Sequence, residues 1–364
     1  MTSTDLENAQ AASLCGRIKK NLRLIKRWAK SEGITCFRVY DKDIPDVPLC
    51  VDVWQLLPSW CATKEQARLL FAQDEAGELC RERMYAIVQL YHRQWRTADE
   101  DERWAVAMKG GVVRALGIDE DNVVVKIRRR QRAQGGVRPQ YQREDASPVS
   151  GWMCERGLVF CVELALRIDT GLFLDTSPLR VMVQSLSLGK RVLNLFCHTA
   201  SFSVCALEGG ASYVESVDLS STALSMARRN IEANGFGAGD HIKLIKADAV
   251  RYLEEAAAHK STGVLFDIII LDPPTFSNSK GTGDLDIRRD WQHLVNLCLV
   301  LLSNDGTLFF STNARRFKME SSLVQDAVVK DISEQTLPPS FRDKRVRRTW
   351  MIVKAKAASG ERKT

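Results

Sequence analysis

The chain has 364 residues, 45% of them hydrophobic, enough apolar material for two filled cores. Its 52 Lys and Arg against 45 Asp and Glu leave a net charge of +7, an excess that bears on partners only where the cations cluster. Ten cysteines form no CxxC pair, and no apolar run reaches signal-peptide or membrane-spanning length, which argues against a secreted disulfide scaffold, a metal-thiolate site or a membrane span and makes the cytoplasm the expected location. An amphipathic basic helix is expected at about 17–31, then extended runs at 35–40, 84–91 and 122–127, together a small α+β domain. A charged stretch with helical periodicity at 64–83 reads as an insertion between two of its strands, the insertion as a whole lying near 58–83. From about residue 190 short apolar runs alternate with helical segments. Strands are expected at 192–196, 213–218, 241–246, 266–272 and 306–312, with helices at 199–208, 220–234, 249–259 and 288–303. A further helix near 321–332 and a last strand at 348–355 complete the pattern. This is the signature of an α/β fold, a Rossmann-like, mostly parallel doubly wound sheet preceded by a smaller α+β domain. The expected boundaries are 1–183 and 184–364.

In such a sheet ligands bind beyond the carboxyl ends of the strands, so the residues there carry the functional information. The first strand runs into Asn194-Leu195-Phe196-Cys197-His198-Thr199-Ala200-Ser201, small and polar residues that let a nucleotide approach backbone N–H groups. The glycine fingerprint of dinucleotide binding is absent, which weakens a nicotinamide reading. Asp218, followed by Leu219-Ser220, ends the second strand. It fits two roles equally, acceptor for both ribose hydroxyls or cap of the following helix. Asp248, before Ala249, likewise fits either an adenine amino group or an N-cap. The fourth strand ends in Asp272-Pro273-Pro274-Thr275-Phe276. Two prolines fix the backbone there and turn its carbonyls and an aromatic ring outward, a rigid edge suited to a flat base.

These residues resemble those of a known family. The blocks Asp169-Thr170-Gly171-Leu172-Phe173-Leu174-Asp175, Asn194-Leu195-Phe196, Val217-Asp218-Leu219-Ser220 and Asp272-Pro273-Pro274-Thr275-Phe276-Ser277-Asn278-Ser279-Lys280 are similar to those of the bacterial large-subunit (23S) ribosomal RNA methyltransferases. Within them the likeness is greatest to the guanine-N7 methyltransferase half of a fused enzyme. It extends to Lys20-Asn21-Leu22, Arg27-Trp28-Ala29 and Tyr40-Asp41-Lys42-Asp43-Ile44-Pro45, and skips about 58–83. The resemblance implies a class I methyltransferase domain behind an RNA-binding domain, with S-adenosylmethionine as cofactor. It implies cofactor contacts from Phe196, Asp218 and Asp248, and Asp272 and Phe276 at the target base. The candidate cofactor residues are therefore Asp175, Asn194, Phe196, Thr199, Ser201, Asp218, Leu219, Ser220, Asp248, Ala249 and Asp272; the candidate catalytic residues are Asp272, Pro273, Pro274 and Phe276. Two departures stand out. The family's Ser-Tyr-Thr-Gly loop is Cys197-His198-Thr199-Ala200 here, and Thr176-Ser177 replace a His-Arg pair. Losing the loop glycine narrows the backbone options beside the methionine tail.

The stretch from Lys126 to Arg138 gathers six cations around a Gly-Gly turn, with Tyr141 following. Clustered arginines beside an aromatic suit phosphates and stacked bases, so Arg128, Arg129, Arg130, Arg132, Arg138 and Tyr141 are the candidate RNA-binding residues. A second cluster, Arg342, Lys344, Arg345, Arg347 and Arg348, is expected to flank the same surface. Pyrimidine C5 methylation needs a cysteine nucleophile. The positions where such enzymes carry it hold Thr275 and Ser311-Thr312-Asn313. Guanine N7 carries a free lone pair and needs no general base, whereas an exocyclic amine would also suit Asp272 and the Pro-Pro carbonyls. The expected function is guanine-N7 methylation of 23S ribosomal RNA before full subunit assembly. The alternatives are guanine-N2 methylation and a non-catalytic RNA-binding assembly factor. No metal site is expected.

Overall fold

The computed structural model describes residues 2–73, 82–91, 97–128, 148–167, 169–237, 239–259, 265–279 and 283–355. The chain divides into two units, 1–174 with 339–343, and 175–338 with 344–364. The division falls after Leu174, so the helix at Ser177–Leu186 goes with the second unit.

The first unit opens on a long helix, α1 (Ser3–Ser31), started by a capping box in which the Thr2 hydroxyl accepts the Asp5 N–H at 3.2 Å and Asp5 accepts the Thr2 N–H at 2.9 Å. Strands β1 (Cys36–Asp41), β2 (Leu49–Gln55), β3 (Met84–Tyr91) and β4 (Val123–Arg128) form a sheet in that order, antiparallel but for the last pair. The charged insertion forms α2 (Lys64–Gln73) between β2 and β3, and α3 (Ala98–Leu116) makes the crossover to parallel β4. Leu14 and Ile18 of α1 and Met108 and Val112 of α3 bury themselves against Val39, Val51, Val53, Ala86 and Val88 of the sheet. Within α1·α3, a Cβ at Gly111 would sit 2.7 Å from the Ala11 carbonyl, so only glycine lets these helices approach. The opposite sheet face buries a charge cluster. Arg38 clasps Asp52 with two bonds of 2.7 and 3.1 Å and reaches Asp41 at 3.2 Å. Strands β5 (Ser150–Glu155) and β6 (Leu158–Glu163) form a hairpin whose two turn residues, Arg156 and Gly157, are both left-handed.

The second unit is the parallel sheet. After α4 (Ser177–Leu186), β7 (Arg191–Leu195), α5 (Ser201–Glu208), β8 (Tyr213–Asp218), α6 (Ser221–Ala233), β9 (Ile242–Lys246), α7 (Ala249–Ala258) and β10 (Phe266–Leu271) alternate. A short hairpin, β11 (Phe276–Ser279) and β12 (Gly283–Asp286), precedes α8 (Ile287–Leu301) and β13 (Leu302–Thr312). Strands β14 (Ala327–Asp331) and β15 (Arg348–Lys354) close the edge, giving the order β14-β15-β13-β10-β7-β8-β9. β15 pairs antiparallel with both β13 and β14, and the other five strands pair parallel. Alternate residues face opposite layers, as a strand's period of two requires. Leu193, Leu195, Ile269 and Leu271 pack with Leu253 of α7 and Leu294 and Cys298 of α8. Strand order reverses at β7, which lies between β10 and β8, so the carboxyl ends of these three strands border a crevice.

The helix expected near 321–332 is absent. A single 3-10 turn at Ser321–Leu323 leads to β14, where β-branched Val328 and Val329 pair with Val353 and Ile352. Strand β2, helix α3 and the β5–β6 and β11–β12 hairpins were not anticipated. Among the described residues no helix is long and apolar enough to cross a membrane.

Candidate cofactor and base site

The site lies within the second unit, at the ends of β7, β8, β9 and β10. After β7 the backbone alternates in hand: Phe196, His198 and Ala200 all have positive φ, at 54°, 49° and 59°. Left-handed non-glycine residues cost free energy, and three alternating ones fold the loop back tightly on β8. The His198 N–H donates to Asp218 Oδ2 at 2.8 Å, and the Cys197 N–H to the Val217 carbonyl at 3.0 Å. Ala200, where the family carries glycine, is fully buried and keeps the left-handed conformation despite its Cβ.

Asp218 is half-buried at the end of β8 and also accepts the Ser220 N–H on Oδ1, at 2.8 Å. The cap of α6 is Ser220, whose hydroxyl accepts the Ala223 N–H at 3.2 Å. Each Asp218 oxygen is thus aimed by one backbone N–H and retains further acceptor capacity, since a carboxylate offers about four lone-pair sites. Leu219 beside it is 51% exposed. Asp248 is the N-cap of α7, its Oδ1 accepting Val250 and Arg251 N–H groups at 3.0 and 3.2 Å, and Ala249 is buried behind it.

Two other candidates point inward. The Asn194 amide donates to Ser203 Oγ at 2.8 Å, and Ser203 shares a 2.7 Å bond with Ser216, which ties β7, α5 and β8 together. Buried Thr199 accepts the Asn230 amide on its carbonyl at 2.9 Å. Ser201, half-buried, opens α5.

Beyond β10, Asp272 is half-buried, Pro273 buried and Pro274 half-buried. Asp272 Oδ1 accepts the Ser311 hydroxyl at 2.6 Å and a bond from the Arg347 guanidinium. Arg347 also donates through Nε to Asp175 at 2.9 Å and through Nη1 to Ser311 at 3.3 Å. Its side chain is 4% exposed. Burial alone would lower the pKa of this guanidinium; the charges of Asp175 and Asp272 outweigh that and hold it above its ordinary value. Thr275 donates to Asn313 Oδ1 at 2.7 Å, bracing the turn against the end of β13. Phe276 is 49% exposed, and the Arg288 guanidinium lies over its ring at 4.7 Å, held by two bonds to Asp286.

Arg347 therefore is no phosphate-facing cation, contrary to its expected place in a surface cluster. Its neighbours differ too: Arg348 pairs with Asp331, and Arg342 with Asp43 at 3.6 Å within the first unit. The sequence reading missed Arg347, Ser311 and Asn313 as site residues. The available signal was Asp272 itself, because a carboxylate at the mouth of a buried strand requires a donor set. Arg129, Arg130, Arg132, Arg138 and Tyr141 lie outside the described residues, as does the side chain of Arg128. Among the described residues nine cysteines, all but Cys15 buried, are free thiols, and burial followed by the charge of Asp218 pushes the Cys197 thiol well up.

The left-handed loop, the aimed carboxylate of Asp218 and the small Ala249 fit a nucleoside whose ribose lies against β8. Together with the strand order they define an α/β domain of the nucleoside-cofactor class. A family described as S-adenosylmethionine-dependent methyltransferase matches residues 126–345. Ribosomal RNA large subunit methyltransferase K of Neisseria meningitidis serogroup B is 37% identical over 337 residues, 92% of this chain and 85% of that protein. The K/L enzyme of Pseudomonas fluorescens is 37% identical over 339 residues, 93% of this chain. The chain spans about 40% of the length of that larger relative. A Streptococcus mutans structure described as a methyltransferase superposes with a TM-score of 0.66 at 21% identity, covering 94% of this chain and 81% of its own, a likeness of fold. The chain belongs to the S-adenosylmethionine-dependent methyltransferases, among relatives named large subunit methyltransferase K or K/L. Its cofactor is S-adenosylmethionine.

Proposed function

We propose that this protein methylates guanine N7 in 23S ribosomal RNA, in the cytoplasm and before the large subunit is fully assembled. The named activity of its relatives supports the RNA substrate, and the resemblance of the Asp272–Lys280 block to guanine-N7 enzymes favours N7, whose lone pair needs no general base. Asp272, the carboxylate at the turn, is held by two donors on Oδ1, which sets it to accept N–H donors of a base edge. S-adenosylmethionine, when bound, would supply a sulfonium methyl for the N7 lone pair, leaving as the neutral thioether S-adenosylhomocysteine, with no proton lost from the base. Asp272 then holds the N–H donors of the guanine edge, Pro273 and Pro274 fix the turn, and Phe276 offers its ring to the base face. Asp218 receives the ribose hydroxyls, with Phe196, Leu219 and Asp248 around the adenosine. The remaining candidates Asn194, Thr199 and Ala249 shape this wall from behind, and Asp175 acts through Arg347. The cluster from Arg128 to Arg138 with Tyr141 supplies RNA contacts.

Ribosomal RNA from cells with and without the protein tests this. N7-methylguanine opens on reduction and makes the backbone cleavable by aniline. Loss of one methylguanine together with aniline cleavage at that nucleotide is the expected result. Loss of the mass without change in cleavage identifies the exocyclic N2 instead, and a missing methylated pyrimidine or an unchanged RNA refutes the proposal.

A further inference from the structure

Helix α1 carries a feature that the methyltransferase site does not use. From residue 8 to residue 31 it contains no Asp or Glu, yet Lys19, Lys20, Arg23, Lys26, Arg27 and Lys30 are all exposed. At about 3.6 residues per turn these positions fall within roughly a third of the helix circumference. They lie opposite Ala11, Leu14, Ile18 and Ala29, which are buried in the first unit's core. The result is a positively charged face about 16 Å long at 1.5 Å per residue, with Lys19, Arg23, Lys26 and Lys30 about one turn apart and Lys20 and Arg27 beside them.

Stability of the helix does not explain it. Cations help at a helix carboxyl end within the last turn only. Lys19, Lys20 and Arg23 lie two or more turns earlier, and like charges at i,i+3 and i,i+4 oppose the helix. A row of cations set at one-turn intervals matches a polyanion with regularly repeated charges.

We infer that this face of α1 is a docking surface for the phosphate backbone of a helical segment of the substrate RNA. The inference rests on the reading of ribosomal RNA as substrate. It contacts backbone rather than bases, so it places the first unit on RNA without reading sequence.

The test is a full-length variant with all six cations replaced by Ala, which is the best helix former and also removes the repulsion, so α1 is retained. Fluorescence anisotropy with a labelled hairpin transcribed from 23S ribosomal RNA measures affinity against salt, and methylation of protein-free 23S RNA is measured in parallel. The variant should bind the hairpin at least about tenfold more weakly near 0.1 M salt. Its logarithmic salt slope should flatten by about 0.9 for each cation in duplex contact. S-adenosylmethionine affinity should stay unchanged, and a variant with Lys and Arg exchanged at the six positions should bind as the original does. A six-alanine variant that keeps the full salt slope and affinity overturns the inference while wild-type methylation of 23S RNA upholds the substrate. A wild-type protein that binds anionic phosphatidylglycerol vesicles or polyglutamate through these six residues, and the hairpin without them, overturns it equally. Failure of the wild type to methylate 23S RNA refutes the substrate reading itself.

Discussion

Buried Arg347 donates to Asp175 at 2.9 Å and by the same guanidinium reaches Asp272. One cation thus joins the segment before α4 to the turn after β10. Asp272 is held in place by a residue that lies 75 positions further along the chain.

Removing this cation should cost the site before it costs the cofactor. Arg347→Met leaves buried Asp175 and half-buried Asp272 without their shared cation, a loss of at most about 3–5 kcal/mol by analogy with broken buried pairs. Arg347→Lys keeps the charge but not the forked geometry. The lysine variant is expected to fold, to bind S-adenosylmethionine within about threefold of wild type, and to turn over at least about tenfold more slowly. Thermal melting, calorimetric titration and single-turnover assays separate the three. Wild-type turnover in the lysine variant would reduce Arg347 to a charge neutraliser.

Asp218 anchors the loop and, in the proposed function, receives the ribose; its variants separate the two. Its oxygens accept the His198 and Ser220 N–H groups, both at 2.8 Å, and so shape the loop before any ligand binds. Bonds to a charged acceptor are worth about 1.5–3 kcal/mol each, so Asp218→Ala is expected to weaken S-adenosylmethionine binding at least tenfold. Titration of the folded variant decides it. Unchanged affinity would leave Asp218 as a loop anchor alone.

The loop itself is strained. Ala200 sits at φ 59°, ψ 33°, a conformation that costs an L-residue roughly 1–2 kcal/mol. Ala200→Gly should therefore raise stability by up to about 1 kcal/mol in urea unfolding, the relief exceeding the added freedom of the unfolded chain. Ala200→Val should destabilise. If glycine proves no better than alanine, the strain is carried elsewhere in the loop.

Much of this was legible beforehand because it is local. Strand ends in a parallel sheet read as short apolar runs, and Asp218 and Asp272 stand directly at two of them. The Asp218 ambiguity was not resolvable from sequence, since Asp and Ser220 are both good caps; only the backbone shows that Ser220 takes that task. Arg347 was misread because it stands in a run of cations. Its burial depends on partners 172, 75 and 36 residues away. The segment after Ser321 was misread as a helix because its strand character comes from pairing with β15.

Cys197 gives a pH-dependent test. Burial first, and then the nearby charge of Asp218, raise its pKa above the ordinary thiol value. Above about pH 8.5 the unfolded chain releases a proton that the folded chain keeps, so folded stability declines as pH rises. The contribution is complete below that pH. Cys197→Ser should lessen the alkaline decline, by at most about 1.4 kcal/mol per pH unit, and should retain turnover. Alkylation of Cys197 by iodoacetamide should be slow in the folded protein at pH 8. A serine variant without activity would make Cys197 a nucleophile and reopen pyrimidine chemistry.

In the proposed function Phe276 meets the substrate base. Its ring is 49% exposed at the start of β11, and Arg288 covers it at 4.7 Å. A ring fixed from one side by a cation, and set next to the turn that presents Asp272, is prepared to stack on a base with its other face. Stacking on an aromatic is worth about 1–3 kcal/mol per base. Phe276→Ala should accordingly lower kcat/KM for RNA by roughly ten- to a hundredfold while S-adenosylmethionine affinity stays level. Phe276→Trp and Phe276→Tyr should restore most of it, because both keep the π-face. Arg288→Ala should have a smaller effect through the freed ring alone. Equal losses in cofactor and RNA binding would mean that Phe276 supports the fold of the β11–β12 hairpin, and full activity in Phe276→Ala would remove stacking from the mechanism.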